Sequence, residues 1–526
     1  MIVFIYNKIS YFYPYFEVHK PPISTPPVKY LLGYDVGSSS IKVALLDIET
    51  GKALATATSP DQEMGMIAHE AGWAEQHPDS WWQEAITATH KLRTKYSFDA
   101  SLVAGIGISY QMHGLVVVDK NLQPLRPSII WCDSRAVEIG NKAFAELGAD
   151  YSLKHLLNSP GNFTASKLKW VKDNEPQIFG QIKYFMLPGD YLALRMTGTP
   201  QTTVSGLSEG IFWDFAEQKI SQKLLDLYGL DSSIIPQMVD TFSPQSQLSA
   251  SAAADLGLKA GTPIAYRAGD QPNNAFSLNV LNPGEVATTA GTSGVVYGIN
   301  AQATSDPLSR VNTFAHVNST SEAPRNGVLL CINGTGILNS WVRKLAGGIS
   351  YDEMNQLAAQ TPIGADGLTF LPFGNGAERV LENQLVGGQL QGLNFNIHSA
   401  SHVFRAAQEG IVFALQYGLQ VMQEMGVQTQ TVRAGHANLF LSPLFREAFA
   451  NTTGATIELY DTDGAQGAAR AAGVGVGVYD FKSAFEGLSQ IATFEPNASL
   501  QPQYAENYAK WEANLKKSMP QPFDKG

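Results

Sequence analysis

A chain of 526 residues is too long for one ordinary hydrophobic core, so two large domains are the expectation. The 44% hydrophobic and 16% charged composition is that of a globular protein, and a formal net charge of −11 argues against nucleic acid or an anionic membrane surface as the main partner. The two cysteines, Cys132 and Cys331, exclude a disulfide framework and fit a reducing, cytoplasmic location, and no apolar run approaches the roughly 18 residues that span a bilayer.

Residues 1–28 are rich in aromatics and prolines and lack the basic start and sustained apolar middle of a secretory signal. They are read as an extension, disordered or poorly packed, that carries no function. YLLGYDVGSSSIKVALLD then sets Asp35, Gly37, Ser38, Ser39 and Ser40 between two apolar runs of strand length, the pattern of a hairpin. Helical spacing of Trp82, Ile86 and His90 in HPDSWWQEAITATHKLRTKY predicts a helix capped in the Asp79/Ser80 region. VAGIGISYQMHGLVVVD reads as strand, loop, strand, with Gln111, Met112, His113 and Gly114 in the loop. PSIIWCDSRAVEIGNKAFAEL passes from a strand through Asp133 and Arg135 into a helix.

From about residue 176 to 260 the pattern is helical in patches broken by Pro and Gly. PIAYRAGDQPNNAF next delivers Asp270 from an apolar strand to a loop. A second hairpin follows in VATTAGTSGVVYG, with Gly291, Thr292, Ser293 and Gly294 at its turn. SHVFRAAQEGIVFALQYGLQVMQEMG is the strongest helix of the sequence and stops at Gly426. TVRAGHANLFLS reads as a strand entering a glycine-containing turn, and TDGAQGAARAAGVGVG as a small-residue helix suited to close packing. Strands alternate with helices in both halves, which indicates an α/β protein of two related lobes.

A turn of glycines and hydroxyl residues can aim backbone N–H and side-chain O–H groups at one anion, because glycine lets the backbone approach closely. A single turn of this kind is more often a plain hairpin. Two of them, the first preceded by an acid inside its strand, look like a duplicated phosphate clamp.

The segments DVGSSSIK, WAEQHPDSWW, GIGISYQMHG, IIWCDSR, PGNFTASKLKWV, LPGDYLALRMTG, AGDQPNNA, AGTSG and QEGIVFAL occur in that order. Together they make the chain resemble the FGGY family of carbohydrate kinases from about Tyr30 to past residue 500. The QMHG loop favours the xylulose-kinase branch of that family. The resemblance implies an α/β fold of two actin-like, ribonuclease-H-like ATPase lobes flanking a central cleft. It places a first lobe at residues 29–278 and a second at 279–515, with a tail at 516–526. It also implies ATP-dependent phosphorylation of D-xylulose to D-xylulose 5-phosphate, with ATP and Mg²⁺ as cofactors and a homodimer left open.

By the same resemblance Asp270 is the catalytic base and Asp35 supports Mg²⁺ through water. Gln111, Met112, His113, Trp131, Asp133, Asp270 and Gln271 are implied as sugar contacts. Gly37, Ser38, Ser39, Ser40, Gly291, Thr292, Ser293, Gly435, Ala437 and Asn438 are implied as phosphate or nucleotide contacts. Asp133 with Arg135 can equally be a structural ion pair, and Lys42 either a phosphate sensor or a solvated strand-end lysine. The chain departs from the family in three places: Gln271 stands where Asn is frequent, TTVSGLSEGIFWDF lacks acidic residues common between Thr202 and Ser208, and Arg433–Asn438 replaces a run of glycines. A two-residue slip there would make Ser442 the small polar position. The alternatives are a family kinase for another ketose or polyol (ribulose, gluconate, glycerol) and an actin-like nucleotide- or sugar-binding regulator without catalysis.

Overall fold

The computed structural model describes residues 28–377 and 379–519. The expectations for residues 1–27, and for the end of the tail beyond 519, fall outside that range.

Two mixed sheets form the frame. The first is built from β1 (Tyr30–Val36), β2 (Ile41–Asp47), β3 (Ala53–Ser59), β4 (Val103–Tyr110), β5 (Phe242–Gln247) and β6 (Pro263–Gly269), in the order β5-β6-β4-β1-β2-β3. The second is built from β7 (Val286–Ala290), β8 (Gly294–Asn300), β9 (Asn312–Ala315), β10 (Asn326–Ile332), β11 (Thr431–Gly435), β12 (Thr456–Tyr460) and β13 (Gln490–Phe494), in the order β9-β10-β8-β7-β11-β12-β13. In both, the opening strand pairs antiparallel with the next and parallel with a later one, which in turn runs parallel to a further strand. This is the ribonuclease-H-like order, present twice. The two predicted hairpins are the opening strands of the two sheets, so their turns occupy equivalent places. The α/β two-lobe class expected from the sequence is the class observed.

The helices that matter to the site are α1 (Pro78–Lys95), α2 (Thr164–Asn174), α3 (Val204–Glu209), α4 (Asp270–Ser277), α5 (Thr335–Leu345), α6 (Ala400–Glu424), α7 (Gly464–Gly475) and α8 (Gln501–Ser518). Helix α6 runs buried through the second lobe, where its Phe413 meets Trp511 and Tyr508 of α8. Among the described residues no helix is long and apolar enough to cross a membrane.

Two local expectations are corrected. His77 holds the N-cap position of α1 without a side-chain capping hydrogen bond, and Pro78 takes the first helical position, where the missing N–H costs nothing. Asp79 accepts instead from the Tyr191 hydroxyl at 2.7 Å and pairs with Arg195. The buried face runs through Trp81, Trp82, Ala85, Ala88, Thr89 and Leu92, while Ile86 is half-buried and His90 exposed. The spacing chosen from the sequence tracked the edge of that face rather than its centre. Asp270, expected in a loop, is the first residue of α4. Pro272 does not prevent this, because the first turn of a helix leaves its N–H groups unpaired.

Helix α7 is one of the elements that join the lobes, beside contacts such as Asn158 with Thr313 and Ser208 with Ala315. It follows β12 of the second sheet in the chain, yet it lies on β1 and β4 of the first. Glycine makes this approach possible: a Cβ at Gly33 would overlap the carbonyl oxygen of Ala465, and one at Gly107 would overlap that of Ala468. Alanines fill the helix side of the contact, with Ala465, Ala468, Ala469 and Ala472 all fully buried. Helix α7 also meets α4, where the Asn273 amide donates to the Gly464 carbonyl at 2.9 Å.

Gly107→Ala should lower the melting temperature by several degrees, since forcing atoms into a filled contact costs about 1–3 kcal/mol. Scanning calorimetry reads this directly, and an unchanged melting temperature would mean that α7 is not seated on β4 as described.

Candidate functional site

Asp35 is the penultimate residue of β1, opposite Lys42 of β2 and Ser109 of β4. The Ser109 hydroxyl donates to its Oδ1 at 2.8 Å. A Cβ on Gly464, the first residue of α7, would lie 2.5 Å from Asp35 Oδ2, so the start of α7 abuts this carboxylate. Asp463 caps α7 by accepting the Gln466 N–H at 2.9 Å, and its other oxygen pairs with Lys42 at 3.3 Å. Burial pushes the Asp35 carboxyl upward and the charge of Asp463 adds to this, while Ser109 and Lys42 oppose it.

The first turn is closed by the Gly37 N–H on the Ser40 carbonyl at 3.0 Å. Ser38 and Ser40 are half-buried and Ser39 is exposed. Gln76 anchors the turn by donating to the Ser38 carbonyl at 2.7 Å, and the exposed Trp131 brings its indole N–H to 3.5 Å from the Ser38 hydroxyl.

Asp270 stands where β6 becomes α4. Burial, then the negative charge of Asp35, pushes its carboxyl up to about 7, against hydrogen bonds from Gln271. The residue before it, Gly269, has no room for a side chain: a Cβ would meet Glu209 Oε2 at 2.5 Å and Met112 Cγ at 2.6 Å. Met112 and Glu209 therefore lie directly against the strand end that presents Asp270. Glu209 is buried, and that burial, with Asp270 and Asp190 nearby, holds its carboxyl well above the ordinary range.

The Gln111–Gly114 loop leaves β4 beside this point, with the Gln111 N–H on the Val36 carbonyl at 2.8 Å. The side-chain amide of Gln111 is buried, and neither its oxygen nor its nitrogen has a hydrogen-bond partner. His113 is held at φ 60° with its ring between Phe163 and Phe314, at centroid distances of 4.7 and 5.3 Å. Burial first, and the charges of Lys167 and Arg379 with it, lower its imidazole to about 3, so the ring is neutral near pH 7. Its Nδ1 lies 3.0 Å from the Glu209 carbonyl oxygen, which only accepts, so Nδ1 carries the proton and Nε2 offers a lone pair.

Asp133 is fully buried and spoken for. It receives the Ala74 N–H at 2.6 Å and a forked hydrogen bond from Arg135, whose guanidinium also reaches Glu75 at 2.6 Å and stacks 3.7 Å from the Trp73 ring centroid. The structural ion pair weighed from the sequence is present.

In the second lobe the Gly291–Ser293 turn is backed by α5. Gly336 donates its N–H to the Gly291 carbonyl at 2.9 Å, and the Thr335 hydroxyl reaches the same oxygen at 3.2 Å. Thr292 is exposed and Ser293 half-buried. Gly435 ends β11 next to this turn, and the exposed Ala437 and Asn438 follow. Asn438 adopts φ 55°, and its Nδ2 would lie 3.3 Å from a Cβ on Gly291. The second turn and the divergent Gly435–Asn438 loop are therefore neighbours. Ser442 is turned inward: it is buried, caps the next helix and donates to Gln408 Oε1 at 2.8 Å.

Sequence reasoning missed Glu209, Lys167, Asp463 and Arg379. Asp463 with Gln466 three residues on was a legible capping pattern. Lys167 falls on the buried stripe of α2 with Thr164 and Val171, which was also a legible oddity. Glu209 and Arg379 carried no local signal. Arg379 comes from the second lobe, yet its guanidinium stands 5.4 Å from the ring centroid of Phe163. One further cluster, His155, Asp214 and Glu217, brings three donor atoms within 4.8 Å. Its members are engaged locally: Glu217 pairs with Lys219 at 2.6 Å, and Asp214 accepts the Ala216 and Glu217 N–H groups.

Residues 30–277 match the N-terminal domain, and residues 286–476 the C-terminal domain, of the FGGY family of carbohydrate kinases. The chain is 30% identical to the xylulose kinase of Bacillus subtilis over 77% of its own length and 80% of that protein's. It is 30% identical to the L-xylulose/3-keto-L-gulonate kinase of Escherichia coli over 92% of its length and 96% of that protein's. The crystal structure of a "xyloylose kinase" from Brucella ovis superposes with a TM-score of 0.82 at 27% identity, covering 93% of this chain and 99% of that one. With both family domains matched in order across the two sheets, the chain belongs to the FGGY family of carbohydrate kinases and is an ATP-dependent sugar kinase.

Proposed function

We propose that this kinase transfers the γ-phosphoryl group of ATP to D-xylulose, giving D-xylulose 5-phosphate, with Asp270 as the base. The observation that carries the reading is the setting of Asp270. It sits at the junction of the two lobes, beside the QMHG loop, with a carboxyl raised to about 7 by burial and Asp35. A base of that strength is matched to a hydroxyl acceptor near neutral pH. Two xylulose kinases among its relatives, each 30% identical, support the choice of sugar.

In this mechanism the sugar lies against Gln111, Met112 and His113, with Trp131 and Gln271 at its margins. The neutral His113 accepts a sugar hydroxyl at Nε2, and the unpartnered Gln111 amide can both donate and accept. Asp133 acts on the sugar only by shaping the loop that carries Trp131, because its carboxylate is already taken. Asp270 accepts the proton of the attacking hydroxyl as that oxygen bonds to the γ-phosphorus and the bond to the ADP oxygen breaks. Gly37–Ser40 and Gly291–Ser293 aim N–H and O–H groups at the phosphates from opposite lobes, with Gly435, Ala437 and Asn438 on the adenosine side. We take the lobes as residues 29–278 and 279–515, and the location as cytoplasmic.

The residues present fit Mg²⁺. Asp35 and Asp270 are each raised first by burial and then by a negative neighbour, and Lys42, the cation beside Asp35, is already paired with Asp463, so the carboxylates leave negative charge for a cation to offset. Asp35 presents one carboxylate whose Oδ1 takes the Ser109 hydroxyl at 2.8 Å, a donor set that suits a hydrated ion held through water. When bound, the ion supplies neutralisation of phosphate charge.

A second reading, a different ketose as substrate, is favoured by the relative named as an L-xylulose/3-keto-L-gulonate kinase. A coupled ADP-release assay across D-xylulose, L-xylulose, D-ribulose, glycerol and gluconate separates the two. D-xylulose should give the highest kcat/KM, and a better figure for any other member assigns the sugar differently. Removing the His113 contact should raise the sugar KM of His113→Ala roughly 2- to 10-fold, the worth of one hydrogen bond, with the ATP KM unchanged.

A base must be deprotonated to work, so turnover should rise with pH through about 7 and be lost below it, following the raised Asp270 carboxyl. Asp270→Asn should cut kcat at least ~100-fold and abolish that acid limb. Near-normal turnover in the variant would remove Asp270 from the chemistry.

A further inference from the structure

We propose that Lys167 is a positioning residue for sugar binding, whose buried ammonium ties the Gln111–Gly114 loop to the Ile130–Asp133 loop and so sets the spacing of the groups that face the sugar. The proposal rests on the reading of those loops as the sugar site.

Lys167 is fully buried on α2. Its Nζ donates to the His113 carbonyl at 2.9 Å and to the Ile130 carbonyl at 3.0 Å, one acceptor from each loop. Lysine is rarely buried without reason, because an ammonium loses most of its hydration there. The chain accepts that cost beside the Leu115–Ile129 bridge, where the backbone of the same two loops already meets. His113 explains the need. A non-glycine residue at positive φ is strained by roughly 1–2 kcal/mol and persists only when its surroundings over-determine it. Lys167 on the His113 carbonyl and the Glu209 carbonyl on its ring supply two such constraints. The ammonium also helps to keep the imidazole neutral, preserving the Nε2 acceptor.

The charged and titratable groups facing Nζ are Asp133, Cys132 and Arg135 on the neighbouring loop, together with His113. Burial lowers the ammonium most, Arg135 adds to that, and Asp133 and Cys132 oppose it, leaving Lys167 at about 7. A lowered lysine is fully charged only below that value, and its stronger, charged hydrogen bonds weaken as pH rises through it.

Lys167→Met keeps the volume and removes both donors. In steady-state assays its sugar KM should rise ~10-fold, the usual effect of leaving a buried acceptor unpaired, while kcat stays within about threefold and the ATP KM is unchanged. A sugar KM within twofold of the parent, or kcat and both KM values worsening together, overturns the proposal. His113→Ala run alongside separates the two levels. If it raises the sugar KM and Lys167→Met does not, the positioning role fails alone. If neither changes the sugar KM, the loop reading fails and takes the proposal with it. Should Lys167→Met not fold, as judged by its circular dichroism melt, the parent enzyme decides. Its sugar KM should climb between pH 6 and 9 with a midpoint near 7 while the ATP KM stays flat, and a flat sugar KM overturns the proposal.

Discussion

The arrangement of the site depends on the close approach of α7 to the first sheet. A helix backbone can lie this near a strand only where the strand has no side chains in the way, and Gly33 and Gly107 provide that gap on adjacent strands. The second lobe thus supplies a cover for a face of the first. Gly464 arrives against Asp35 and Asp463 within reach of Lys42 only because α7 is seated there. The crossing of α7 with α4 extends the effect to Asp270: the Asn273 amide holds the Gly464 carbonyl, and a Cβ on Gly467 would press on Ser277. Asp35 at the end of β1, Asp270 at the start of α4 and Asp463 from the far lobe are fixed relative to one another by backbone contact rather than by long side chains. That makes their spacing insensitive to rotamer choice.

The electrostatic consequence is an unbalanced pocket. Burial raises both carboxyls; Asp35 adds to the rise at Asp270, Asp463 adds to it at Asp35, and Lys42 is the cation that answers. Glu209, close by, is also raised, by burial first. Such a concentration of buried negative charge works against folding unless a cation or a proton is supplied, and functional sites are where this tension is tolerated. On the proposed reading the tension is useful. It keeps Asp270 basic enough to take a hydroxyl proton and leaves room for a positive ion beside the phosphates.

Much of this was legible in the sequence because it lies in local pattern. Strand–turn–strand at Asp35 and at Gly291, the Asp270 segment and the small-residue helix were all visible as short runs of residue type. The duplication of the sheet could be suspected from the two hairpins. What was not legible depends on which surfaces meet. Nothing local says that TDGAQGAARAAG lies on the other lobe's sheet, although its alanines and the facing Gly33 and Gly107 are the two halves of one contact. The face of α1 was misjudged because Trp81 and Trp82 are both buried, which blurs the period. Glu209 and Arg379 owe their places near His113 wholly to tertiary structure. Lys167 was a different kind of miss, a charged residue on an apolar stripe whose oddness could have been weighed.

The two sheets share an order but not a chemistry, and the difference begins in one position of the hairpin. The first strand ends Asp35–Val36–Gly37 and the second ends Thr289–Ala290–Gly291, so the repeated turn carries a carboxylate in one lobe and a hydroxyl in the other. Around the acid the first lobe gathers the raised Asp270 carboxyl, a neutral imidazole and an unpartnered amide. Around the hydroxyl the second gathers the α5 start and an exposed loop with Asn438 in the left-handed region. An acid beside both turns would set like charges against a triphosphate from two sides. An acid beside neither would leave no anchor for a cation. On the proposed reading, one acidic and one neutral turn would let a single duplicated hairpin serve the sugar and metal side in one lobe and the nucleotide side in the other. The sharing of α7 between the lobes keeps those two sides in register.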